Sequence, residues 1–162
     1  MPQDDTSITR RRLLAGGAAA AAFGLAGCLG GDSQVEPERP NDDGEGSLGE
    51  LRWILEEQYS MQVTSMTFGD GRVDLTYQSQ ATSRGESREE IGAVISAYGL
   101  IVAHDGPSEV LRATIEDRFA EQATSYQIQA SWVKRWRNGD MSDSLVAQRV
   151  FNTRTFPKSA SQ

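Results

Sequence analysis

The sequence predicts a small α+β domain of order α-β-β-α-β-β-α, with an antiparallel four-stranded sheet and helices packed on one face. Three observations predict it. Val73, Leu75 and Tyr77 alternate with Arg72, Asp74, Thr76 and Gln78, the period of two of a strand with one buried face. Asp70-Gly71 precedes that run and supplies the positive φ values of a tight hairpin. Ile91, Val94, Ile95, Tyr98, Ile101 and Val102 recur at helical spacing, as the apolar stripe of a helix laid on a sheet does.

The elements follow in order. Ser47-Leu48-Gly49-Glu50 is a capping box and opens a helix over about 48–60, with Leu51, Ile54 and Leu55 in period. Val63 to Phe68 reads as a strand and pairs through Gly69-Asp70-Gly71 with the strand at 72–78. Residues 79–86 form a polar loop. Ser87-Arg88-Glu89-Glu90 is a second capping box, for a helix at about 88–103 that His104-Asp105-Gly106-Pro107 terminates. Leu111, Ala113 and Ile115 alternate with charged and hydroxyl residues, giving a strand from about 108 to 118. After a loop near 119–124, Tyr126, Ile128, Ala130 and Trp132 alternate with polar residues, a fourth strand reaching about Arg137. Asn138-Gly139 breaks it. Asp140 or Ser142 caps a last helix over about 142–153. The folded domain is thus 47–155, with a frayed end at 156–162. Two hairpins next to helices suit an antiparallel sheet with one covered face.

The chain before the domain is of a different kind. Thr9-Arg10-Arg11-Arg12-Leu13-Leu14 leads into Ala, Gly, Leu and Phe residues without charge up to Gly27. A charged start and a short apolar stretch have the form of an export signal. Fifteen residues of helix span about 22 Å, less than the ~30 Å hydrocarbon core. Residues 29–46 hold six acids, one Arg, two Pro and four Gly with no hydrophobic period, the composition of a disordered acidic tether.

Thr-Arg-Arg-x-Leu-Leu, with Arg10 and Arg11 as the pair, resembles a twin-arginine export motif. Leu25-Ala26-Gly27-Cys28 resembles a lipobox. The resemblance implies cleavage after residue 27 and a glycerolipid joined by a thioether to Cys28, so that 1–27 is the signal and 28–46 the lipidated cysteine and tether. A thiolate is the side chain nucleophilic enough for that alkylation. The lipid on Cys28 is the membrane contact, and the address is the extracytoplasmic face of the cell membrane. No other cofactor is expected.

Composition narrows the remaining choices. Cys28 is the single cysteine of 162 residues, so no disulfide and no cysteine metal cluster forms within the chain. Without residues 1–27, which hold Asp4, Asp5 and three arginines, 21 acids and 13 bases remain, a net charge of −8. Lys occurs only at 134 and 158. Such an acid excess argues against nucleic-acid binding, which needs phosphate neutralisation. Acidity with scarce Lys, a twin-arginine signal and a lipobox together resemble the small exported lipoproteins of halophilic archaea, a resemblance that covers the first 46 residues and general composition. It implies an uncharacterised domain family and carries over no functional residue except Cys28.

Catalytic patterns are sparse. His104 is the single histidine and sits beside Asp105, but chain neighbours seldom orient one another as an acid–base pair. A zinc site would lack its usual nitrogen and sulfur ligands, and no metal is expected. Glu56-Glu57, Glu89-Glu90 and Glu116-Asp117 are adjacent pairs whose side chains diverge. No nucleophile elbow, phosphate loop or dinucleotide fingerprint is present. The local oddity is Trp132-Val133-Lys134-Arg135-Trp136-Arg137, two tryptophans among three cations in an acidic chain. On a strand, Trp132, Lys134 and Trp136 share one face, and Arg135 and Arg137 the other. Those five residues are the candidate binding surface for an unidentified protein or small-molecule partner. The expected function is a non-enzymatic binding or interaction module, with a surface-anchored hydrolase and an accessory lipoprotein of a transport or envelope complex as alternatives.

Overall fold

The computed structural model describes residues 31–158. Arg10, Arg11 and Cys28 lie outside the described residues. The elements are β1 (Ser33–Gln34), α1 (Leu48–Trp53) continued by a π-helical turn (Ile54–Gln58), β2 (Gln62–Gly69), β3 (Arg72–Gln78), α2 (Arg84–Ala103), β4 (Val110–Glu116), β5 (Ser125–Gln129), α3 (Ala130–Arg137) and α4 (Asp143–Phe151).

The fold is α+β, but the antiparallel four-stranded sheet in the order α-β-β-α-β-β-α is corrected. A single five-stranded mixed sheet runs β1-β2-β3-β4-β5. β2–β3 and β4–β5 are antiparallel, whereas β3–β4 is parallel, with Val73 opposite Leu111 and Tyr77 opposite Ile115. The reason is the connection. A 20-residue α2 carries the chain back along the sheet, so β4 begins at the same end as β3 and lies parallel to it. The hairpin expected at Asp70-Gly71 is present, with φ of 51° and 72° at those residues, the signs of a type I′ turn.

Three further boundaries differ from the sequence reading. β1 adds a fifth strand from within the expected tether: Ser33 pairs with Phe68, Gln34 with Thr67, and the Val35 amide donates to the Met66 carbonyl at 2.8 Å. Farther along, the Arg52 guanidinium donates to the Val35 carbonyl and the buried Glu50 carboxylate accepts from the Asn41 and Ser47 amides. Much of 31–46 is therefore laid along the domain. Second, α2 starts one turn earlier, capped by Ser83, which frees Ser87 and Glu90 for other partners. Third, the expected fourth strand stops at Gln129, and Ala130–Arg137 is helix α3.

Why α3 coils is visible in its burial. Ala130 and Val133 are buried, and Trp132 and Trp136 are half-buried against the core. Spacings of three and four place them along one helical side, which packs on α2 where Gly99 leaves room. Alternation through Trp132 coincides with that helical spacing over a few residues, and tertiary packing decides between them.

One side of the sheet presents Val73, Leu75, Tyr77, Leu111, Ala113, Ile115, Tyr126 and Ile128, all buried. They join the buried residues of the helices, such as Leu51, Leu55, Ile91, Val94, Tyr98 and Val146, in one cluster. The helices therefore lie on one face. The other face carries Arg112, Thr114 and Glu116, exposed, and the Arg72–Asp74 ion pair at 2.6 Å. The two-residue β1 covers the Met66–Phe68 part of β2, and the bridge between Thr155 and Ser125 covers part of β5, which limits edge-to-edge association.

Candidate functional site

The parallel pair β3–β4 places two strand ends side by side, with the Ser79 amide donating to the Glu116 carbonyl at 2.9 Å. From there the chain enters α2 on one side and the 117–124 loop on the other. A cavity of about 700 Å³ opens at this end, walled by the first turns of α2, by Phe119–Ala123 and by Arg154–Lys158.

A buried polar network forms its floor. Gln122 is 2% exposed. Its side-chain amide donates to Ser79 Oγ at 2.7 Å and Ser87 Oγ at 3.2 Å, and its carbonyl accepts from the Phe119 amide at 3.3 Å. Ser79 Oγ in turn donates to Glu90 Oε2 at 2.7 Å, while Glu90 Oε1 accepts from the Gln80 and Ala81 amides at 2.7 and 3.0 Å. One glutamine thus ties the 117–124 loop to α2 and to the end of β3. A network with its donors and acceptors matched in a low-dielectric site rigidifies the wall it belongs to. Near it lie Tyr77 and Tyr126, both buried, whose hydroxyls are neighbours but make no hydrogen bond within 3.5 Å among the described residues. Burial raises the pKa of both phenols, Tyr126 well above the ordinary value, so both stay protonated at neutral pH.

The rim is cationic. Arg84, Arg88, Arg154 and Lys158 line it, and Glu121 is the one carboxylate in the wall. Arg84 engages that carboxylate at 2.6 Å. Among the described residues, Arg88, Arg154 and Lys158 have no carboxylate within 4.0 Å. Burial lowers the Arg154 pKa, and the neighbouring Arg88 charge lowers it further. The Arg154 side chain is fixed from the other side: Nε donates to the Phe151 carbonyl at 2.9 Å, and the guanidinium lies 4.9 Å from the Phe151 ring centroid and 5.4 Å from that of Phe156. Arg84 and Arg88 occupy the start of α2, where the helix dipole already presents positive charge. Like charges are therefore concentrated at a place that favours an anion.

The residues singled out in the sequence lie elsewhere. Trp132, Lys134, Arg135, Trp136 and Arg137 are all on α3, with the three cations exposed. The Trp136 ring packs on Gly99, and its Nε1 donates to Asp143 at 2.6 Å. Arg149 stacks over Trp132 at 5.7 Å. The two aromatic rings thus fasten α3 to α2 and α4. Gly99 is eleven residues along α2 from Arg88, about 16 Å, so this surface and the cavity are separate. His104 is exposed at the far end of α2, with Nδ1 3.2 Å from the Gly44 carbonyl. Among the described residues no group of three or more His, Cys, Asp or Glu side chains is placed to hold a metal.

The cavity residues were missed because they come from three separate segments, read as a polar loop running into a helix start, a second loop and a frayed end. The available signal was Arg84 and Arg88, four residues apart at a helix start, where the dipole disfavours cations.

No curated protein and no solved structure matches the chain. Residues 42–160 match the family described as Domain of unknown function (DUF8159), and the chain belongs to that family.

Proposed function

We propose that the chain is a lipid-anchored extracytoplasmic protein whose domain is a non-enzymatic binding module for a small molecule. The cavity at the carboxyl ends of β3 and β4 carries this reading. Its volume of about 700 Å³ falls within the range of pockets that enclose drug-sized ligands, and its floor is held in one arrangement by Gln122. Binding is favoured over hydrolysis by the wall chemistry. The lining carboxylate, Glu121, is engaged by Arg84, and Ser87 Oγ is met by an amide donor rather than a base, whereas nucleophilic catalysis needs a base within hydrogen-bond reach.

The membrane address rests on Arg10-Arg11 and the lipobox at Cys28. Among the described residues no helix is long and apolar enough to cross a membrane. With β1 paired from Ser33, only Leu29 to Asp32 separates a lipid on Cys28 from the sheet, a maximum of about 17 Å between the Cα atoms of Cys28 and Ser33. The anchor therefore enters at the Gly69–Arg72 end, where Arg72 reaches Asp32 at 3.5 Å. Seven residues of β3 carry the chain about 20 Å to the other end, so the cavity opens away from the anchoring point.

The test is to purify the full chain from membranes in mild detergent and identify small molecules bound to it by mass spectrometry. The control is Ala120→Trp, which introduces a large side chain at a position lining the cavity. A compound enriched with the parent chain and absent from the variant is the expected result. Identical small-molecule content in both overturns the reading.

A further inference from the structure

We infer that the cavity takes a soluble organic anion, a carboxylate, sulfonate or phosphate ester carried on an apolar body. This inference rests on the proposed binding reading and specifies its ligand. Two features of the wall point to the same chemistry.

The first is charge. In a chain with a formal net charge of −7, Arg88, Arg154 and Lys158 converge on one cavity without a carboxylate within 4.0 Å among the described residues. Cations without a carboxylate within 4.0 Å also occur elsewhere among the described residues, Lys134, Arg135 and Arg137 of α3 included; what sets the cavity apart is that Arg88, Arg154 and Lys158 line one opening, where their fields add and favour an anion. Fixed guanidinium donors hold carboxylate and phosphate oxygens by charge-assisted hydrogen bonds. Arg154 is held in place beforehand by the Phe151 carbonyl and two rings, so little side-chain freedom is lost when an anion arrives.

The second is apolar surface. Phe119 is half-buried in the wall, and Phe156, 50% exposed, is among the most exposed large apolar side chains of the described residues. Phe156 lies on the rim beside Arg154. Inorganic anions gain nothing from phenyl rings, whereas an aromatic or aliphatic body removes them from water. The cavity has room for both parts.

The source of the anion follows from where the cavity opens. It lies at the sheet end opposite β1, about 20 Å along β3 from where an anchor on Cys28 enters. With the proposed anchor at the opposite end, a soluble ligand is favoured over a headgroup of the anchoring bilayer.

Two probes of nearly equal shape test this: naphthalene-2-sulfonate, charged, and naphthalene-2-sulfonamide, neutral. Each is titrated calorimetrically into the full chain in maltoside detergent, against a detergent blank. The expected result is one sulfonate per chain, bound at least about ten-fold tighter than the sulfonamide, the lower end for hydrogen bonds to charged groups. Arg88→Gln, at an exposed position, and Arg154→Gln should each remove most of that difference and leave sulfonamide affinity within about two-fold. Circular dichroism checks that each variant is folded, and Arg88→Gln keeps the test decisive if Arg154→Gln is not. Equal affinity for both probes, abolished by Ala120→Trp, overturns the anion assignment while leaving the cavity as a binding site. Absence of binding, or binding unchanged in Ala120→Trp, overturns both. Phosphatidylglycerol added to the micelles should not compete with the sulfonate; competition would reassign the site to a lipid headgroup.

Discussion

Replacing Gln122 by Leu removes the one side chain that joins the 117–124 loop, α2 and the end of β3. Leu nearly conserves volume, so the loss is one of hydrogen bonds rather than of packing. The Phe119 amide loses its acceptor and Ser87 loses the amide donor, while Ser79 loses one partner but keeps Glu90 and the Ala81 amide. Each buried polar group left unmatched costs about 1–3 kcal/mol. The apolar surface of Leu offsets part of this, leaving a net destabilisation of about 2–4 kcal/mol. For a domain of this size 1 kcal/mol moves Tm by about 3–5 °C, so the expected fall is about 6–20 °C, read by circular dichroism. A fall below about 3 °C would refute the idea that this amide holds the cavity wall. Gln122→Glu adds a pH signature. Its carboxylate would be buried and face Glu90, and both effects raise its folded pKa above the unfolded value of about 4.3. The protonated acid can make one of the amide's two donations, so more stability is kept below the unfolded pKa and is lost as pH rises through the folded pKa. A variant equally stable from pH 4 to pH 8 would contradict this.

Four other substitutions have separate expected outcomes. Tyr126→Phe should change stability by less than about 1 kcal/mol, because its hydroxyl has no partner to lose among the described residues; a loss above about 2 kcal/mol by denaturant titration would show that the hydroxyl is satisfied. Gly99→Val should destabilise by about 2–3 kcal/mol through overpacking, since a Cβ there would lie 2.8 Å from Trp136, and should shift tryptophan emission to the red; unchanged melting and emission would disprove the α2–α3 contact. Cys28→Ser should release the protein from membranes or leave it unprocessed, and Arg10→Lys with Arg11→Lys should block export; processed, membrane-bound Cys28→Ser protein would rule out lipidation at that residue.

Much of the secondary structure was legible because local chemistry dictates it. The capping box at Ser47–Glu50, the Asp70-Gly71 turn, the alternation through Tyr77 and the Ser142 cap are short-range signals, and each has its structural counterpart. Sheet order is not local: the parallel register of Val73 with Leu111 depends on where a 20-residue helix returns the chain. β1 gave no signal because two residues carry no period, and its backbone pairing needs no particular side chains. Trp132 to Arg137 could be read with either period until the groove at Gly99 decided for the helix. The cavity was illegible for a related reason. Arg88, Gln122 and Arg154 lie far apart in the chain, and only the mixed sheet brings the ends of β3 and β4 and the last segment together. The acidic composition drew attention to the clustered cations on α3, whereas those at the cavity are dispersed over three segments of the chain.

The proposed binding site is the cavity at the carboxyl ends of β3 and β4. Backbone amide mapping by nuclear magnetic resonance, on the isotope-labelled full chain in detergent titrated with naphthalene-2-sulfonate, tests it most directly. The expected shifts concentrate at Ser87, Arg88, Glu121, Gln122 and Ala123 and saturate together. Shifts gathered instead on the open sheet face at Arg112 and Thr114, or along Trp132–Arg137, or no shifts at all, would contradict it.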